Sequence, residues 1–271
     1  MNTDCTSVAR LAEPQVRAVL AAAGNAPAPP GQPPWLFGCT ALAIELYENE
    51  DATHLAHDDR VVACGGALLN LRLAVQTMGI YADVRLAPDP VQPRLLAAVR
   101  PANERLATTW DRQLARVSTG TTDAVPVPTS PTSALRELRR AADVERAWLA
   151  QVSGAQLTEL YTPDADAVEP MFVVIGSLQN DVRALLRAGQ AIRRVMLTAT
   201  VLGLRTTMLS GPVATPGARA ELQTLIGGAL SPHAVLAVTV ADSTPATVDT
   251  RTCGADAGAD TQAGGADSPA G

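Results

Sequence analysis

The segment DVRALLRAGQAIRRVMLTATVLG, residues 181 to 203, carries Val182, Leu185, Gly189, Ile192, Met196, Ala199 and Leu202 at three- and four-residue intervals. That spacing predicts a long α-helix buried along one stripe. Arg183, Arg187, Arg193 and Arg194 lie off the stripe and read as a solvated or salt-bridged face rather than a phosphate clamp. A second segment of the same kind, RVVACGGALLNLRLAVQTMG, residues 60 to 79, places Cys64, Leu68, Leu71, Val75 and Met78 on one face and stops at Gly79. Its Gly65 and Gly66 are expected to allow close packing rather than to hold a phosphate. Two such helices must bury their stripes on something, and the remaining sequence supplies the strands.

The pattern predicts a helix from Glu13 to Ala23, with Pro14 in its first turn and Gly24 at its end. TALAIELYE (40 to 48) and YADVRLAP (81 to 88) read as strands, PVQPRLLAAVR (90 to 100) as a short helix, and Asp111 to Val117 as another. STGTTDAVPVPTSPTS (118 to 133) is a loop at the midpoint of the chain. A helix carrying Leu135, Leu138, Ala142 and Trp148 follows, then a polar loop near YTPDADAVEP, and a buried strand MFVVIGS (171 to 177). After the long helix come a loop TTMLSGPVATP, a helix from about Gly217, and a strand HAVLAVTVA (233 to 241). The order helix, strand, long helix, strand occurs in both halves, so the expected division is 1–117, 118–242 and a tail at 243–271. That tail is small, acidic and nearly free of large apolar residues, which predicts disorder.

Composition narrows the function. A chain of 271 residues with 47% hydrophobic content can bury a substantial core. A net charge of -6 offers no basic field for nucleic acid or anionic lipid, and no apolar run reaches membrane-spanning length, so a small organic ligand and a cytoplasmic location are expected. All 21 basic residues are arginine, which excludes Schiff-base chemistry and a P-loop lysine. Cys5, Cys39, Cys64 and Cys253 have no zinc or framework spacing and read as reduced thiols. His54, His57 and His233 are the only histidines; the loop EDATHLAHDDR reads as surface rather than as a metal site, and Ser210 in LSGP has no visible base. Residue chemistry alone therefore nominates no catalytic residue and no metal ligand.

Several long segments resemble the actinobacterial Acg-type nitroreductase-like family. VRALLRAGQAIRRVMLTATVLGLRTTMLSGPV is similar to that family's LRAGxALxRVLLTATxxGLxxSxLxQPV, and VVACGGALLNLRLAVQTMGIYADVRLAPDPVQPRLLAAV to its SCGAALxxLRLALxxLGxxxxVxxLPDPxxPxLLA. The resemblance implies an α+β nitroreductase-like fold: a central, mostly antiparallel sheet flanked by helices, in a single-chain pseudo-dimer. It implies FMN as cofactor, NAD(P)H as electron donor, and a small-molecule acceptor such as a nitroaromatic or quinone. It also leaves room for association with a complete paralogue.

By the same resemblance, APAPPGQPPW (26 to 35) stands where the family has APSxHNTQPW at the flavin site. Ala26, Pro27, Pro34 and Trp35 match, while Ala28, Pro30, Gly31 and Pro33 replace the polar positions. GTTDAVPV (120 to 127) stands where the family has RRTDRRPF: Thr122, Asp123 and Pro126 agree, but Gly120, Thr121, Ala124 and Val125 replace the arginines. Gly211 replaces the glutamine of LxQPV. The resemblance thus nominates Trp35, Thr122, Asp123 and Ser210 as cofactor-binding residues. Two readings follow: an FMN-dependent NAD(P)H oxidoreductase with degraded flavin loops, or a non-catalytic module of the same fold that binds flavin weakly or engages a partner.

Overall fold

The computed structural model describes residues 8–28, 30–121, 130–157, 170–209, 213 and 215–240. The expected tail at 243–271, with Thr122, Asp123 and Ser210, lies outside these residues. Two four-stranded, fully antiparallel sheets are present among the described residues, both flanked by helices.

The first half runs α1 (Glu13–Gly24), β1 (Trp35–Cys39), β2 (Ile44–Glu48), α2 (His57–Thr77), β3 (Ile80–Leu86) and β4 (Leu95–Glu104). After α3 (Thr109–Ser118), the second half repeats the order: α4 (Pro131–Val144), β5 (Trp148–Val152), β6 (Met171–Ser177), α5 (Val182–Val201), β7 (Leu204–Leu209) and β8 (Ser231–Val240), with α6 (Pro216–Leu225) inserted before the last strand. The strand orders β1-β2-β4-β3 and β5-β6-β8-β7 are the same topology written twice.

The first sheet packs on α1 and α2 through Ile44, Leu46, Leu68, Leu71, Leu96 and Val99. The second has two apolar faces. One meets α4 and α5 through Leu138, Val173, Ile175, Ile192 and Val195. The other is covered from α6 and the 3-10 turn Gly154–Leu157, where Phe172, Val174, Leu157 and Leu222 meet.

The two halves join where α2 crosses α5. A Cβ on Gly65 would stand 2.9 Å from Gly189 Cα and collide with the Leu186 carbonyl oxygen; a Cβ on Gly189 would stand 2.9 Å from Gly65 Cα and collide with the Val62 carbonyl oxygen. The contact is reciprocal, as a two-fold relation between the helices requires. The expected packing role of Gly65 is therefore met. Gly66 lies beside the crossing, near the Arg193 side chain.

Several sequence expectations are corrected. Residues 95–100 form a strand, not a helix: Leu96, Ala97 and Val99 are buried in β4, which is paired on both edges, and Pro101 falls by a register shift opposite β3. Apolar runs without alternation mark inner strands as readily as buried helices, and the partners on either side decide. Trp148 does not belong to the preceding helix, which ends at Val144; it opens β5 and is 53% exposed. Residues 206–209, expected in a loop, complete β7, and β1 begins at Trp35 directly after the prolines. Cys39, at the end of β1, is disulfide-bonded rather than reduced, whereas Cys64 is a free buried thiol.

Gly189→Ala is expected to destabilise the protein by about 3 kcal/mol or more, the upper end of overpacking costs, because the added methyl meets backbone. The readout is the denaturant midpoint. Gly217→Ala, whose methyl meets nothing within 4 Å and lies inside α6, should leave it unchanged or slightly raised.

Candidate functional site

Trp35 is only 6% exposed and pairs with Glu48 at the start of β1. The loop before it is pinned to the body through its own carbonyls. Pro33 O accepts from Asn49 Nδ2 at 2.8 Å, and Pro34 O accepts from the Asn49 amide at 2.9 Å and from Cys64 Sγ at 3.2 Å. Gly31 adopts φ 127°, and a Cβ there would come within 2.9 Å of the His54 ring. The polar side chains that hold this end together belong to other elements. Glu48, buried, takes Arg60 Nε at 2.7 Å and faces His57 Nδ1 at 2.9 Å. Burial first, then the Glu48 carboxylate, pushes the Cys64 thiol up.

His57 opens α2, and among the described residues no group of three or more His, Cys, Asp or Glu side chains is arranged to hold a metal ion. His233 on β8 brings Nε2 to 2.7 Å from Ser177 Oγ, a pairing the sequence did not reveal. Ser177 Oγ donates to Gln179 O at 2.5 Å, which leaves its oxygen to accept from the imidazole. Burial, then the charge of Arg219, lowers the His233 pKa to about 4, opposed by Asp58.

A groove of about 1000 Å³ is walled by α2, β3, residues 105–111, α4 and α5. Its floor is a buried charge network. Glu145, directly after α4, accepts Arg72 Nη1 and Arg194 Nε, each at 2.7 Å, and Arg72 Nη1 also donates to Gln190 Oε1 at 2.6 Å. Burial alone would raise the Glu145 pKa, but the two guanidiniums outweigh it and hold the carboxyl below its ordinary value. Asn70 links three helices beside this network, donating to Ala22 O and accepting from Arg193 Nε, both at 3.1 Å. Burial brings Arg193 down to about 10, so it stays charged at neutral pH.

Of the residues nominated from sequence, Trp35 alone can be placed, and it is part of the core rather than of an open surface. The groove was missed, although a signal was present. Arg183, Arg187, Gln190, Arg194 and Thr198 recur at helical spacing and form one polar stripe along α5, opposite the apolar one. Arg193 and Arg194 were read as a solvated or salt-bridged face; Arg194 is indeed ion-paired, but inside the protein.

A comparison with protein-family models finds no match, and a comparison with curated proteins finds none. Among solved structures the chain is similar to an FMN-dependent nitroreductase from Clostridium difficile R20291, at 15% identity, over 48% of this chain and 87% of that one, with a TM-score of 0.34. It is similar also to a nitroreductase with bound FMN from Bacteroides fragilis NCTC 9343, at 16% identity, over 55% of this chain and 98% of that one, with a TM-score of 0.36.

Glu145→Gln strands the buried Arg194 guanidinium and the partly exposed one of Arg72, and is expected to cost about 3 kcal/mol at neutral pH. Glu145, with its pKa below the ordinary 4.5, contributes stability that is complete above that value and lost as pH falls through the lower folded one. Urea titrations from pH 7 down to 3 should therefore show the gap between wild type and variant closing in acid.

Proposed function

We propose that the chain is a divergent nitroreductase-like protein of the Acg type, derived from FMN-dependent NAD(P)H oxidoreductases. The observation that carries this reading is the repeat itself. Helix, strand, strand, long helix, strand, strand is built twice, with the same sheet order and a reciprocal crossing of the two long helices. A single-chain pseudo-dimer has this form, and the segments that resemble the family are those two long helices with the strands that follow them.

The residues at the first flavin loop do not fit FMN. Ala28, Pro30, Gly31 and Pro33 offer no side-chain donor, and the Pro33 and Pro34 carbonyls are already occupied by Asn49 and Cys64. A flavin phosphate and ring edge deprived of such partners lose contacts worth about 1.5–3 kcal/mol each where a charge is involved. This favours the second reading, a fold retained as a weak flavin-binding or partner-interaction module, over a working reductase with a nitroaromatic or quinone acceptor.

The purified protein should therefore be colourless or hold far less than one equivalent of FMN, and added FMN should be removed by gel filtration. Stoichiometric yellow protein bleached by NADPH would overturn the non-catalytic reading and restore the oxidoreductase one.

A further inference from the structure

We propose that the groove walled by β3, α4 and α5 is a docking site for an extended, acidic segment of another polypeptide that also carries large apolar side chains. The inference goes beyond the flavin reading and holds whether or not FMN is bound.

Charge carries the first part. Seven arginines and four carboxylates line the groove, in a chain whose net charge is -6. Three of the carboxylates are already engaged: Glu145 by Arg72 and Arg194, Asp111 by the Thr108 hydroxyl at 2.7 Å, and Glu137 by Arg136 at 3.6 Å. Arg140 on α4, Arg146 just beyond it and Arg187 on α5 have no hydrogen-bond or ion-pair partner among the described residues. The concavity is cationic on a molecule that is acidic overall, and its complement is a partner rich in carboxylates.

Shape carries the second part. On α5 the lining residues run from Arg183 to Thr198, about 22 Å of helix, which is the length of about seven residues of extended chain. On another wall, four consecutive residues of β3, Tyr81 to Val84, line the groove, and β3 is an edge strand that pairs with β4 alone. Successive strand residues alternate between the two faces of a sheet, so four in succession are met along the strand's free edge. Its backbone donors and acceptors there suit an extended polypeptide.

Apolar surface carries the third. Four of the ten large hydrophobic side chains left exposed among the described residues line this groove: Leu106, 87% exposed, Val144, 56% exposed, Tyr81 and Trp110. The Arg105 guanidinium lies 5.5 Å from the Tyr81 ring centre, so cation and apolar surface share one wall. Large apolar side chains gathered at a charged cleft mark a surface that another protein covers, and a segment bearing carboxylates alone would leave them in water.

The test is fluorescence anisotropy of the full chain with a labelled, end-capped peptide of about nine residues, rich in glutamate and with leucine at intervals. It should bind, and more weakly as salt rises. Versions with glutamine for glutamate, with serine for leucine, or with alternate amides N-methylated should each bind more weakly. Arg140→Gln and Arg187→Gln should each weaken the parent peptide about threefold, and together about tenfold, without lowering the thermal midpoint. Leu106→Ser should also weaken it. Absence of binding, a glutamine version that binds equally well, or unchanged affinity in the double variant would overturn the site. Full binding by the N-methylated peptide would overturn the strand-edge part. Three further results would each overturn a separate polypeptide as the occupant: displacement of the peptide by equimolar pyrophosphate, which makes the groove a small-anion site; tighter binding by a synthetic copy of residues 243–271, which makes it a seat for the chain's own tail; and a sedimenting dimer that the double variant dissociates, which makes it a contact between copies.

Discussion

The rest of the structure depends on two helices touching at glycine. Gly65 and Gly189 bring α2 and α5 to backbone contact, each occupying space the other's side chain would need. Away from that point the helices meet through large residues, Leu185 and Leu186 of α5 in the first core and Leu69 and Leu73 of α2 beside Leu197, while their stripes pack on a sheet on each side. Of the polar residues near the crossing, Asn70, Gln190 and Arg194 are buried and Arg72 is partly buried, and they satisfy one another or take a partner from α1 or from the end of α4. The buried Glu145 network is thus a consequence of the close crossing.

Two halves with one topology need not have one chemistry. The difference lies in the helix-to-strand links. In the first half a proline-rich link is fixed by Asn49 and Cys64 along its own backbone, and proline suits such a segment because it needs few amide donors satisfied. In the second half the link is cut to residues 145–147, and a cationic concavity remains beside it. The loop at 26–35 is clasped by Asn49 and Cys64, while Arg140, Arg146 and Arg187 line the groove beside the second link.

The sequence was most legible where one period dominated. The stripes of α2 and α5, the alternation of β2 and the apolar run of β6 were readable because each element buries a face whose spacing repeats. Residues 95–100 were misread because leucine and alanine favour a helix locally, and the strand forms only because β2 and β3 stand on either side to pair with it. Trp148 was assigned to a helix because its spacing allowed it, and the left-handed turn at Arg146 broke the periodicity that spacing assumed.

By itself the sequence determined that two long helices would be buried, that glycines would lie inside them, and that no lysine chemistry was available. These are properties of single segments, set by period and residue type. Only the tertiary structure decided that Gly65 meets Gly189, that Glu145 neutralises Arg72 and Arg194, that His233 stands within hydrogen-bond distance of Ser177, and that Arg140, Arg146 and Arg187 line one groove. Each joins residues distant along the chain, and a contact of that kind exists only once the helices have crossed and both sheets have closed.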